Sequence, residues 1–260
     1  MSESEVIVDQ SSWGLVRASG GDRARFLQGM FTNDVGGLAP GAWCRAAVLS
    51  VKGRVLAVAD VLNEGDSFLM ITEPVTGEKL QQVLEKHAIA DDVELVRVER
   101  AVHRVWDSIE AVWTAPPVLA ARAGSPPEAI EIRRVEAGLP RYGVDVSEDY
   151  FPFEANLERA LSFDKGCYVG QEVVVRATTR GGAKKKLVGL KLGAGDPVAA
   201  GAAVSGPDKP DAGVVTSAVV SPCFGPIALA YLHHTLWTPG TRVQVGGQDA
   251  EVCGLPFPPL

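Results

Sequence analysis

Residues 163–176 read Phe163-Asp164-Lys165-Gly166-Cys167-Tyr168-Val169-Gly170-Gln171-Glu172-Val173-Val174-Val175-Arg176. A lysine stands two residues before a cysteine, glycines flank the thiol at 166 and 170, and the mostly β-branched run that follows ends in an arginine. Such glycines mark backbone turns that other residues resist, so the thiol is expected on a bend. A cysteine reacts as its thiolate, and a nearby cation lowers the cost of that anion, which makes Cys167 and Lys165 the candidate catalytic pair. A short helix opening near Gly170 would point free N–H groups at the same charge. The competing reading is a buried, inert cysteine packed as a small hydrophobe. The residues leave both open.

Outward from this stretch, composition narrows the class. The chain has 260 residues, 46% of them hydrophobic, enough for a sizeable core and long for one domain, so two or three packed units are expected. No apolar run is long enough to span a bilayer, and the start, Met1-Ser-Glu-Ser-Glu, is acidic where a signal peptide needs basic residues. The formal charge of −7 argues against broad nucleic-acid binding, which needs a basic footprint. Cys44, Cys167, Cys223 and Cys253 are widely spaced and form no CxxC pair. That spacing suits a reducing cytoplasm and provides neither a classical zinc site nor a cluster-ligand array, so no metal site is expected.

Periodicity lays out the elements. Residues 11–19 read as a strand, and Asp22 is placed to cap a helix over residues 23–30 with Phe26, Leu27 and Met30 on its apolar face. Strands are expected over 43–50, 55–62 and 67–72, the last two as a hairpin, then a helix over 75–87 with Val75, Leu80, Val83 and Leu84 inward. Alternation marks another strand at 93–99. Pro and Gly clusters between 115 and 127 mark a subdomain boundary. Glu154 should open a short amphipathic helix with Leu157 and Leu161 one turn apart. Residues 178–186 are small and basic and read as a linker, with Lys184, Lys185 and Lys186 either a solvated surface or an attractor of an anionic ligand tail. Short runs at 187–192, 213–220, 227–232, 242–245 and 250–252, parted by Gly, Pro and Asp, predict a small β-barrel or sandwich.

The octapeptide KGCYVGQE, Lys165 to Glu172, closely resembles the signature of the YgfZ family of folate-binding proteins. These are relatives of the glycine-cleavage T-protein, an aminomethyltransferase, and include mitochondrial factors that help mature iron-sulfur proteins. Similar blocks recur at Phe26–Val35, Arg134–Gly143, Gly213–Pro222 and Leu255–Phe257. The resemblance implies an α+β fold of mainly antiparallel sheets with helices, plus a small C-terminal β-barrel. It places a folate-binding region at 1–185, with subdomains at about 1–40 plus 118–185 and about 41–117, and the barrel at 186–260. It implies tetrahydrofolate or another folate as ligand, with Glu136 holding the pterin edge and Asn33, Tyr168, Gln171 and Arg176 as further contacts. Glu136 sits beside Val135 and Leu139, where ionisation is costly without hydrogen-bond donors such as a pterin offers. An exposed helix glutamate paired with Arg133 or Arg134 is the bland alternative. For Asn33 it is a turn that satisfies its own backbone.

One departure matters. In the relatives an aspartate steers one-carbon transfer from the strand comparable to residues 52–61, and here Leu56 and Ala57 stand in those acidic positions. An apolar residue neither accepts a proton nor stabilises a cation, so the aminomethyltransferase activity does not carry over directly; Asp60 lies several residues along the strand. The expectation is a cytoplasmic folate-binding protein that supports iron-sulfur protein maturation or repair through Cys167, with iron-sulfur client or assembly proteins as partners. The alternatives are a tetrahydrofolate-dependent one-carbon transferase and a scaffold without ligand or thiol chemistry.

Overall fold

The computed structural model describes residues 5–179, 182–193 and 198–258. The acidic start at residues 1–4 and the Arg180-Gly181 part of the expected linker lie outside the described residues. The chain opens with β1 (Val6–Asp9), β2 (Gly14–Ser19), α1 (Arg23–Met30), β3 (Trp43–Leu49), β4 (Val55–Asn63), β5 (Phe68–Thr72) and α2 (Gly77–Glu85). It continues through β6 (Glu94–Arg97), β7 (His103–Trp106), α3 (Ala111–Thr114), α4 (Pro127–Glu136) and α5 (Gln171–Thr179). The last part is all strand: β8 (Lys185–Leu192), β9 (Ala203–Gly206), β10 (Lys209–Ser221), β11 (Gly225–His233), β12 (Arg242–Val245) and β13 (Gln248–Cys253).

Five strands form one antiparallel sheet in the order β3-β4-β5-β2-β6. The sheet therefore draws β2 from the first expected subdomain and its other strands from the second. Side chains alternate across a strand. Ala57, Ala59 and Val61 of β4 meet Phe26, Leu27 and Met30 of α1 and Leu80 and Leu84 of α2 on one face. Ala47, Leu49 and Val55 face the other way, onto Val135, Leu157, Tyr168 and Val174. β1 and β7 pair separately.

The six C-terminal strands close into a barrel, β10-β11-β8-β13-β12-β9. Alternation explains why its strands read as nearly continuous apolar runs. Val188, Leu190, Ala228, Ala230 and Leu232 fill the barrel. Leu187, Ile227, Leu229 and Tyr231 face outward and join the core beneath β3 and β4. Both faces of β8 and β11 are buried, so the barrel is packed against the rest of the chain.

Four expectations need correction. Asp22 does not cap α1 with its side chain: its backbone is already helical (φ −93°, ψ −1°), whereas a capping residue sits in the β region. Its carboxylate instead accepts from Asp92 N at 3.0 Å and pairs with Arg25 at 3.2 Å. Val75 is 80% exposed, because residues 74–76 form a 3-10 turn and α2 begins only at Gly77. The helix expected from Glu154 is two separate 3-10 turns, 152–154 and 158–160, parted by Asn156 in a left-handed conformation (φ 56°). Finally, Thr178 and Thr179 end α5, while Lys185 and Lys186 begin β8, where Lys185 lies over the Tyr150 ring at 4.0 Å and Lys186 pairs with Glu158 at 2.9 Å. β9 was not anticipated.

Candidate functional site

The thiol loop runs from Leu161 to Gly170 between the 3-10 turn at 158–160 and α5. Gly170 adopts φ 84°, and a Cβ there would lie 2.6 Å from Ser50 O and 3.2 Å from Gly53 Cα. Only glycine meets both demands, so the loop presses directly on the β3–β4 turn. α5 follows in spite of its β-branched run, because Val174 is fully buried in the core while Val175 turns outward. Gln171 Oε1 accepts from Tyr168 N at 3.3 Å at the start of this helix. The Tyr168 ring is buried, burial raises its phenol, and among the described residues its hydroxyl has no hydrogen-bond partner. Cys167, one residue before it, is exposed. Cys167 is therefore not packed as a buried hydrophobe.

Lys165 is engaged by backbone carbonyls. Its ammonium donates to Gln28 O at 2.5 Å, Phe31 O at 2.6 Å and Asn33 O at 2.9 Å, all around the C-terminal end of α1. Burial pulls it down to about 8, against the raising influence of Asp34 and Cys44. Its charge acts through space on Cys44, a half-buried thiol on β3, where it opposes the burial and the Asp60 charge that together push that thiol up to about 12.

Of the expected folate contacts, Asn33, Tyr168 and Gln171 gather near this loop, while Glu136 lies at the end of α4 against the barrel. Glu136 is 5% exposed, accepts from Ser221 Oγ at 2.6 Å and lies 3.6 Å from Arg133 Nε, so it is neither exposed nor paired only along its helix. Val135 beside it shares a core cluster with Tyr168. Asn33 spends its side chain on the backbone: Nδ2 donates to Arg45 O at 2.9 Å and Oδ1 accepts from Asp34 N at 2.9 Å. Arg176 pairs with Glu172 one turn away on exposed α5.

A second group was not singled out from sequence. Asp60, on β4 opposite Arg45 on β3, accepts from Arg45 Nε at 2.8 Å through Oδ1 and from Nη2 at 3.2 Å through Oδ2, and Arg104 Nη2 forms an ion pair with that same Oδ2 at 2.9 Å. Burial works against the charge of Asp60, yet Arg104 and Arg45 outweigh it and hold the carboxyl below its usual range. Arg104 is wholly buried, stacks 4.2 Å over Trp43 and is drawn by burial down to about 10. Arg45 Nη1 and Arg104 Nη2 are buried with no hydrogen-bond partner among the described residues. Glu73, just past β5, lies within electrostatic reach of Arg141, Arg134, Arg45 and Asp60, and burial raises its carboxyl to about 7. The available signal was a charged residue inside each of two otherwise apolar strands. Among the described residues, no three His, Cys, Asp or Glu side chains converge as a metal-holding group, and no helix is long and apolar enough to cross a membrane.

Comparison with known proteins places this geometry. The fold matches the crystal structure of aminomethyltransferase T of the glycine cleavage system from Bartonella henselae with a TM-score of 0.83, covering 98% of this chain and 86% of that one at 20% identity. Residues 185–257 match the glycine cleavage T-protein C-terminal barrel domain. The tRNA-modifying protein YgfZ of Sodalis glossinidius is 26% identical over 242 residues, 75% of this chain and 74% of that protein. The chain is thus similar to YgfZ along most of its length and to the glycine cleavage T-protein in its C-terminal barrel. A mitochondrial iron-sulfur cluster assembly factor IBA57 homolog of Pyricularia oryzae is 27% identical over 67% of this chain and 54% of its own length. An aminomethyltransferase of Saccharopolyspora erythraea is 37% identical over 156 residues, 56% of this chain, and the match spans only 42% of that enzyme. The α+β architecture and barrel of this YgfZ/GcvT-like protein agree with those relatives.

Proposed function

We propose that this YgfZ/GcvT-like protein binds a folate and supports the maturation or repair of iron-sulfur proteins in the cytoplasm, using the Cys167 thiol. The observation that carries the reading is the exposure of Cys167 on a loop fastened at both ends to α1. A nucleophilic or ligating thiol must be both accessible and held in place. Similarity to an IBA57 homolog named as an iron-sulfur cluster assembly factor, and to YgfZ, supports the client class.

The residues fit a pterin in their acceptor chemistry. Among the described residues the Glu136 carboxylate accepts one hydrogen bond, from Ser221, and its ion pair is too long to be another, while a carboxylate has about four acceptor positions. Glu136 would take the amino and ring N–H donors of the heterocycle, with Tyr168 and Gln171 from the thiol loop and Asn33 and Arg176 as outer contacts. A bound tetrahydrofolate supplies nitrogens that carry one-carbon units; the protein's part is to orient it and hold the thiol near by.

Calorimetric titration with tetrahydrofolate tests the ligand half, with saturable binding expected and a loss of at least about tenfold in affinity for Glu136→Gln. Complementation tests the thiol half: Cys167→Ser should fail to restore iron-sulfur enzyme activities in a strain lacking the gene. Full restoration by that variant leaves only a scaffold.

A second reading, a tetrahydrofolate-dependent one-carbon transferase, draws support from Glu73, whose carboxyl at about 7 suits proton transfer near neutrality. Asp60 is unsuited to the role because two arginines hold it ionised. Folate-dependent consumption of an aminomethyl or methyl donor, lost in Glu73→Gln, would favour this reading over the first.

A further inference from the structure

We propose that Lys165 is a positioning residue: it clamps the thiol loop to the end of α1, its ammonium being spent on backbone carbonyls and not on the Cys167 sulfur. A lysine ammonium has three donors and no more. Those of Lys165 go to Gln28 O, Phe31 O and Asn33 O, at 2.5, 2.6 and 2.9 Å, so none remains to hydrogen-bond a sulfur. The acceptors are ones that need a donor. The last carbonyls of a helix have no partner within it, and the partial negative charge there favours a cation. Gln28 lies in the last turn of α1, and Phe31 is its C-terminal cap residue.

The remaining bonds of the loop converge on the same place. Val169 N–H donates to Gly29 O at 3.1 Å, Ser162 N–H to Thr32 O at 2.9 Å, and Thr32 Oγ1 to Ala160 O at 2.7 Å. Lys165 N–H also donates to Ser162 Oγ at 3.3 Å, closing the loop on itself. Cys167 thus stands midway between two anchors, Lys165 two residues before it and Val169 two after, both fastened to residues 28–33. Exposure and fixed position, which seldom occur together in a loop, follow from that arrangement. Arginine would not serve in place of Lys165, because a flat guanidinium fork does not direct three donors at three carbonyls around one point. The inference rests on the proposed function only in taking Cys167 as the group to be positioned.

The test uses the full chain and two readouts, neither involving folate or a client protein, so its failure is distinguishable from failure of the proposed function. The first is the pH profile of Cys167 alkylation by iodoacetamide, followed residue by residue by mass spectrometry in the unaltered protein, Lys165→Met and Lys165→Arg. The second is amide hydrogen exchange over residues 162–170. A clamp predicts exchange faster by about tenfold or more in both variants, with the midpoint of the alkylation profile unmoved. A midpoint raised by about one unit or more with exchange unchanged would make Lys165 the ionising cation and overturn the proposal. Unchanged exchange with an unchanged midpoint overturns it as well. Should the variants not fold, nitrogen-15 spectroscopy of the unaltered protein decides. Slowly exchanging Lys165 Nζ protons are expected, and an ammonium exchanging as fast as surface lysines refutes the clamp.

Discussion

The Arg45 guanidinium grips Asp60 across neighbouring strands through two bonds, Nε to Oδ1 at 2.8 Å and Nη2 to Oδ2 at 3.2 Å, and Arg104 closes on the same carboxylate at 2.9 Å. Two buried cations share one buried anion. Removing the anion leaves both without compensation, so Asp60→Asn should cost roughly 3–5 kcal/mol, read from the shift of a urea unfolding midpoint. A loss below about 1 kcal/mol would show that water reaches these guanidinium groups. The pH dependence follows in sign. The folded carboxyl ionises below its ordinary 3.8, so its stabilisation is complete above the unfolded pKa and is lost as pH falls through the folded one.

Glu73 should show the opposite dependence. Its folded carboxyl titrates at about 7 against an ordinary 4.5, so the folded state holds the proton more tightly and stability falls as pH rises between those values. Glu73→Gln removes the titration. Relative to the unaltered protein it should gain on the order of 2–3 kcal/mol between pH 4.5 and pH 8, measured by parallel denaturant curves. Curves that stay parallel across that window contradict the assignment.

Gly170→Ala should destabilise the protein and disturb the thiol loop. The left-handed conformation costs an alanine roughly 1–2 kcal/mol. The added methyl would also meet Ser50 O at 2.6 Å, a backbone atom that moves only with the β3–β4 turn. A total of about 2 kcal/mol or more is expected in thermal or chemical unfolding. Gly166, whose added Cβ would meet nothing within 4 Å, should accept alanine at little cost in the same assay.

The four thiols should separate by reactivity. Cys167 and Cys223 are exposed, while Cys44 is half-buried and pushed up to about 12. At pH 8 iodoacetamide should therefore modify Cys167 and Cys223 well before Cys44, as read by peptide mass spectrometry. Early labelling of Cys44 in the folded protein would mean that β3 opens.

Elements with a strong period were legible in the sequence. Phe26, Leu27 and Met30 recur at helical spacing and form the buried face of α1. The apolar runs of the last 75 residues announced short strands because side chains buried on both faces of a strand leave a continuous apolar record. Val75 misled because it extends an apolar stripe by one turn, and nothing local says that Glu73-Pro74 starts a 3-10 turn. The helix expected after Glu154 failed at Asn156, whose left-handed backbone is imposed by packing and by its side-chain bond to Gly138 O at 2.7 Å.

The thiol motif divides in the same way. Of its two glycines, Gly170 takes the left-handed conformation that local sterics reserve for glycine, whereas Gly166 does not, and Cys167 is exposed between them. The partner of Lys165 is not local information. Two residues separate it from Cys167 in sequence, but a flexible four-carbon stem goes where unpaired acceptors are, and those lie more than 130 residues away at the end of α1. Asp60 likewise read as a spare acid until the fold set Arg45 and Arg104 against it. Sequence determines which side chains exist and how each segment tends to bend; which charges meet is decided only when distant segments bury one another, because Coulomb and hydrogen-bond energies depend on separation in space.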